Sequence, residues 1–242
     1  MENIKGAINA EQEYLAKIER GEPSEPLISL IGKYGYENFD DFYLDKTMQS
    51  IKEIDLPVYE INDSFDSVVN EKVSANEPCI CYNINIGKTI AYVPNDFHEY
   101  GKLESNHIES YNMKYDGNSD NKSVIITGDG DLKIGIMLPY HLIHEAGNSK
   151  FLLNGISSIL SKYINGIKVS NNDIIDENGK IAGSAIAHIG NLYIFYIQIT
   201  FSDKRKLIEN ICGVSNKRPS YVNRDKVSPN KLLNNIVKWL KQ

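Results

Sequence analysis

Three cysteines in 242 residues, Cys79, Cys81 and Cys212, are too few and too irregularly spaced for a disulfide framework or a four-ligand zinc site. Long apolar runs are missing as well. None approaches the roughly 20 residues that span a bilayer, and Met1 to Gly21 is a charged stretch without the apolar core of a signal peptide, so the chain reads as cytoplasmic. Nor is there an excess of positive charge: a formal net charge of -6 argues against a general footprint for nucleic acid or an anionic membrane. What is present is a globular composition, 41% hydrophobic, 24% charged and 10% aromatic. The length suits one large domain or two small ones.

The first fifty residues read as helical. Asn9 to Arg20 is rich in helix formers, Leu27 to Ile31 opens an apolar-periodic stretch after Pro26, and Phe39 to Ile54 carries Phe42, Leu44, Met48 and Ile51 at near-helical spacing. We read 1–56 as a helical N-terminal extension, with packing or capping as its role, and 57–242 as a single α/β domain. Strands are expected at Val58 to Ile61, Cys79 to Ile86, Thr89 to Val93, Ser123 to Thr127 and Leu132 to Leu138, the last two joined across the G-D-G-D turn. Tyr111 to Lys122, dominated by Asn, Asp, Ser and Gly, is expected to be an exposed loop. A helix capped by Asn148 is expected to run from Ser149 to about Ile164, with Leu152, Ile156, Ile159, Leu160 and Tyr163 as a core stripe. Short strands at Ile167 to Val169 and Asp173 to Ile175 lead through D-E-N-G into Lys180 to His188, followed by the most apolar strand, Asn191 to Phe201. Helices from Asp203 to Ile211 and Ser228 to Leu240 close the chain, the latter opened by Ser-Pro.

Asn172 to Ala185 reads N-D-I-I-D-E-N-G-K-I-A-G-S-A. It resembles the catalytic-lysine hairpin of the lipoate-protein ligase, octanoyltransferase and biotin-protein ligase group, where an N-D pair precedes a turn and then G-K-[IV]-[SAG]-G-S-A. The neighbouring segments Gly128 to Pro139 and Lys206 to Val222 resemble the strand before and the helix and basic stretch after that lysine, so the likeness runs over about Cys79 to Leu240. It implies a mixed, largely antiparallel sheet flanked by helices. It also implies acyl transfer, attaching lipoate or octanoate to a lysine of a lipoyl-carrier domain through an acyl-adenylate made from ATP with Mg2+. In that scheme Lys180 holds the acyl carbonyl and phosphate oxygens, Asn172 and Asp173 contact the nucleotide or its magnesium, and Gly183 and Ser184 let the backbone approach closely. A lysine leaving a turn onto a strand, followed by glycine, independently points a cation at an approachable backbone. Standing alone, a lysine after such a turn is a solvated hairpin residue.

One expected part is absent. Ligases of this group carry an Arg- and Gly-rich loop before the strand that here reads S-V-I-I-T; this chain has Y-D-G-N-S-D-N-K there, with Lys122 the only cation and Gly117 the only glycine. Thr127 stands near the family's histidine, and Asp129 and Asp131 add negative charge where an anionic intermediate would lie. Loss of glycine N–H groups and arginines weakens a phosphate cradle. This leaves open a second class of function, a catalytically degenerate ligase-fold protein that binds a partner or small molecule. A third route is a thioester at Cys212, 32 residues after Lys180 in I-C-G, which echoes the P-C-G nucleophile of octanoyltransferases. A helix-end core cysteine capped by Gly213 is the plainer account of Cys212.

The remaining polar candidates have ordinary explanations. Cys79 and Cys81 fall on one face of a strand and suit a core. His141-x-x-His144-Glu145 has helical spacing but lacks a third metal ligand in sequence. His188 would face the pocket or be a satisfied strand histidine, and Lys217, Arg218 and Lys226 would meet a nucleotide or acidic carrier, or form a solvated loop.

Overall fold

A computed structural model describes residues 2–62, 65–86, 90–94, 108–111, 125–145, 150–205 and 219–242. Helices α1 (Glu2–Glu19), α2 (Leu27–Gly32) and α3 (Phe39–Glu53) form the N-terminal region. Asn38 caps α3 by accepting from the Asp41 backbone N–H, with Asp40 and Asp41 in the first turn complementing the helix dipole. These helices share a small core of Ile4, Ala7, Ile31, Tyr36 and Phe42, and α3 sends Ile51 into the main core.

The main sheet has seven strands in the order β1-β2-β6-β10-β9-β8-β7: β1 (Val58–Glu60), β2 (Cys79–Ile84), β6 (Leu132–Pro139), β7 (Lys168–Ser170), β8 (Asp173–Ile175), β9 (Lys180–Ile189) and β10 (Leu192–Ile199). Only β1 and β2 run parallel; the other neighbours are antiparallel, the mixed and largely antiparallel sheet expected. Strand alternation explains the layers. Ile80, Leu132, Ile134, Ile136, Leu138, Tyr193, Phe195, Ile197 and Ile199 join one core with α6 (Phe151–Leu160) and α7 (Pro229–Lys241). The alternate residues Cys79, Cys81, Met137 and Ile194 form a second core with Ile61 and with Val69 of α4 (Phe65–Ser74). A separate three-stranded sheet, β4-β3-β5, consists of β3 (Ile90–Pro94), β4 (Ile108–Tyr111) and β5 (Ile125–Thr127). The short helix α5 (Tyr140–Glu145) follows β6.

Several boundaries differ from the sequence reading. The G-D-G-D turn does form, with the Asp131 N–H donating to Gly128 O and Gly130 at φ 76°, but β5 and β6 belong to different sheets, so it carries the chain between layers rather than closing a hairpin. Helix α6 starts at Phe151 with Lys150 at its N-cap and no side-chain cap, not at Ser149; Asn148 lies outside the described residues. It stops at Leu160, and turns lead to Gly166, whose φ of 72° a glycine adopts without strain. Helix α4 and strand β4 have no counterpart in the sequence reading. The helix expected from Asp203 and the loop expected from Tyr111 lie mostly outside the described residues. At the C-terminus Ser228 accepts from the Lys231 N–H and Pro229 occupies the first turn, as expected. No helix among the described residues is long and apolar enough to cross a membrane.

Candidate functional site

The D-E-N-G turn is held by Asp176, whose Oδ1 accepts from the Asn178 and Gly179 N–H groups at 2.8 Å each. Ser220 ties the turn down from outside, its Oγ 3.0 Å from Asp176 Oδ2 and its N–H donating to the Lys180 carbonyl. Lys180 therefore leaves an anchored turn.

Its direction is set by a β-bulge. Ile174 faces Ala182, but Ile175 faces Lys180, so Ile181 is an extra residue on β9. In a regular strand Lys180 and Gly183, three apart, would point to opposite faces. The bulge turns Ile181 into the main core and leaves the Lys180 side chain over Gly183, on the other face. A Cβ at Gly183 would lie 2.7 Å from Lys180 Nζ, so glycine is what admits the ammonium there. The ammonium sits 2.8 Å from Asp173 Oδ1; the lysine side chain is 40% exposed and the aspartate 9%, so the cation is oriented yet reachable. Asp173 faces Gly183 across β8 and β9. Asn172 is exposed, and its carbonyl accepts from both the N–H and the Oγ of Ser184, each at 2.8 Å. Asn172, Asp173, Lys180, Gly183 and Ser184 are thus brought together. Lys122 and Cys212 lie outside the described residues.

The register extends this cluster across the sheet. Asp173, Gly183, Gln198, Lys133 and Asn83 stand side by side on five neighbouring strands. The next two rows on that face are Ala185, Tyr196, Gly135, Cys81 and then Ala187, Ile194, Met137, Cys79. A polar row thus borders apolar rows that are largely buried under Ile61 and Val69 of the second core. Lys133, Gln198 and Asn83 were not picked out from sequence. Their signal was a single polar residue interrupting each of three otherwise apolar strands.

Asp131 is not the free negative charge expected from sequence. Its carboxylate is fully buried, accepts from the Gly128 and Phe201 N–H groups at 2.8 Å each and from Ser202 Oγ at 3.1 Å, and pairs with the buried Lys204 ammonium. Burial pulls the Lys204 pKa below its ordinary value, opposed by the Asp131 charge. Gln198 links this cluster to the polar row, its Nε2 donating to Asp131 Oδ2 at 3.5 Å while its Oε1 accepts from Thr127 Oγ1 at 3.2 Å. Asp129 pairs with Arg224 at the surface, 3.0 Å apart.

The other candidates fall elsewhere. His188 does not face the site: it pairs with Tyr193 on the opposite face and stacks on Tyr140, ring centroids 3.5 Å apart. His141 is exposed on α5, while the side chains of His144 and Glu145 lie outside those described, as do Lys217 and Arg218; Lys226 is exposed. The Cys79 and Cys81 sulfurs are buried 3.9 Å apart, and their mutual hydrogen bond and burial push the Cys79 thiol up, so it stays protonated.

No family model matches this sequence, and no curated protein matches it. Solved structures do. P. falciparum LipL1 in complex with lipoate superposes with a TM-score of 0.54 at 14% identity, over 76% of this chain and 61% of that one. The chain has the lipoate-protein ligase fold. A bipartite lipoate-protein ligase from Thermoplasma acidophilum, described together with its E2 lipoyl domain, gives a TM-score of 0.54 at 12% identity over 77% and 82% of the two chains. Lipoate-protein ligase A bound with ATP gives 0.52 at 14% over 77% and 84%. At these identities the likeness is one of fold, and the chain spans less than two thirds of the P. falciparum protein.

Proposed function

We propose that this chain is an acyl-transfer enzyme of the lipoate-protein ligase type, moving lipoate or a related acyl group such as octanoate to a lysine of an acceptor domain through an acyl-adenylate. The observation that carries this reading is the bulge at Ile181, which turns Lys180 onto the face of Gly183 and Asp173 within a ligase fold. Lipoate and ATP, bound by two of the similar structures, are the corresponding substrates.

In the transfer step the neutral amine of the acceptor lysine attacks the acyl carbonyl. A C–N bond forms, the C–O bond to the phosphate breaks, AMP leaves with the electron pair, and a proton passes from nitrogen to water. Negative charge grows on the carbonyl oxygen and then on the leaving phosphate, where a fixed ammonium lowers the barrier. Asp173, 2.8 Å from the ammonium, keeps Lys180 aimed. Magnesium carried on ATP needs only one or two protein carboxylates, and Asp173 is the acidic side chain beside Lys180 that would hold it.

The absence of the Arg- and Gly-rich loop favours a second reading, a ligase-fold protein that binds without catalysis. Thermal stabilisation by lipoate, octanoate, biotin or ATP with magnesium, followed by transfer from synthetic lipoyl-adenylate to an unmodified E2 lipoyl domain, separates the two. Binding with transfer supports the enzyme; binding without transfer supports the second reading; neither removes both. Iodoacetamide mapping of Cys212 tests the thioester route, which an inert thiol eliminates.

A further inference from the structure

Strand β6 is paired on both sides, to β2 and to β10, and reads L-K-I-G-I-M-L-P with Lys133 as its only charge. Leu132 and Ile134 are fully buried in the main core, so alternation puts Lys133 on the other face, that of Lys180 and Gly183. Lysine is among the residues least often buried, yet this one stands on an interior strand. Its neighbours across the sheet are Asn83 on β2 and Gln198 on β10, with Gly183 beyond Gln198. All four are half-buried. Further along β6 and β2 the same face is sealed, since Gly135, Met137, Cys79 and Cys81 are buried.

The amides on either side of Lys133 are fixed: Gln198 is held by Asp131 and Thr127, and Asn83 Nδ2 donates to the Ile61 carbonyl at 2.6 Å. Of the cations nearby, Lys204 is committed to Asp131 and Arg224 to Asp129. Lys180 lies over Gly183, two strands from Lys133, or about 10 Å between backbones. The flexible four-carbon stem of Lys133 can cross part of that gap. Two ammonium groups along one row suit an extended polyanion better than a single carboxylate. Forming an acyl-adenylate brings such an anion. The acyl carboxylate oxygen attacks the α-phosphorus of ATP, a P–O bond forms, the bond from that phosphorus to the bridging oxygen breaks, and pyrophosphate leaves with the electron pair; no proton moves. Lys180 is taken up by the carbonyl and the α-phosphate, so the charge growing on the leaving group calls for a second fixed cation.

We propose that Lys133 binds the pyrophosphate portion of ATP in the adenylate-forming step, while Lys180 holds the α-phosphate and the acyl carbonyl. This rests on the acyl-transfer reading, and a direct binding measurement separates the two. In calorimetric titration of the full chain, magnesium pyrophosphate binds the wild type at least roughly tenfold more tightly than Lys133→Gln. In lipoate-driven ATP–pyrophosphate exchange the same variant raises the KM for ATP by a similar factor and leaves that for lipoate unchanged. Transfer from synthetic lipoyl-adenylate, which has already lost its pyrophosphate, stays within about twofold of wild type. Lys133→Arg restores pyrophosphate binding. Lys133→Met, which keeps an unbranched stem and removes only the charge, serves as the second variant if Lys133→Gln does not fold. No pyrophosphate binding by the wild type, or equal binding by a folded Lys133 variant, overturns the proposal. A loss of transfer from lipoyl-adenylate as large as the loss of exchange also overturns it, because it puts Lys133 on the acyl group. Pyrophosphate binding that depends on Lys133 in a chain showing neither exchange nor transfer supports the site and counts against the acyl-transfer reading.

Discussion

Asp131–Lys204 and Asp173–Lys180 are the same two side chains in two settings. The first pair is sealed: 0% and 4% of the side-chain surfaces are exposed, and the carboxylate is further bound by two backbone N–H groups and a hydroxyl. The second has an almost buried carboxylate but a lysine left 40% open. A sealed pair is committed to structure, since desolvation leaves its charges no use beyond each other. A half-open pair keeps an oriented cation available to something else.

The difference predicts a separation of stability from function, with the largest effect at the sealed pair. Asp131→Ala strands the Lys204 ammonium and two backbone donors, and it is expected to cost about 3–5 kcal/mol of unfolding free energy in denaturant titration. The pH dependence follows from the lowered pKa of Lys204. The unfolded chain holds this proton more tightly than the folded one, so the cost of burying the ammonium shrinks as pH rises toward its ordinary value of 10.5. Asp131→Asn removes the opposing attraction, so its deficit narrows with rising pH; a deficit that stays level between about pH 7 and 10 would contradict the assignment.

Next in size, Lys180→Ala should lower lipoyl transfer by roughly 100- to 1,000-fold while changing stability by less than about 1 kcal/mol, because the lysine end of the pair is open to solvent. Equal losses of activity and fold would erase the contrast. Gly183→Ala should act more gently on the same group. Its methyl displaces the flexible end of Lys180 rather than backbone, so Tm shifts by a few degrees at most while transfer falls at least tenfold. Smallest of all is the coupling between the pairs: in a double-mutant cycle, Asp131→Asn and Lys180→Ala should add within about 0.5 kcal/mol. Coupling well above that would make Gln198 the bridge of a single network.

The sequence made the hairpin legible because its signals were local: turn residues, a glycine and a lysine within fourteen positions. The helices at both ends followed from periodicity and caps, whereas the strand order β1-β2-β6-β10-β9-β8-β7 depends on long-range pairing that no local signal carries. The bulge did not follow either, since alternation alone would have put Lys180 and Gly183 on opposite faces. Asp131 was misread as a charge near the ligand because its partner, Lys204, is brought to it only by the pairing of β6 with β10. Helix α4 escaped notice because Val68, Val69 and Val73 are β-branched and carry a weak helical preference, overridden here by burial of Val69 against the sheet.

The bulge also bears on how this chain should be aligned with others. One residue more or fewer between Lys180 and Gly183 inverts the side of the sheet that the cation occupies. Length variation belongs in the D-E-N-G turn, and a gap placed after the lysine would match residues that point in opposite directions.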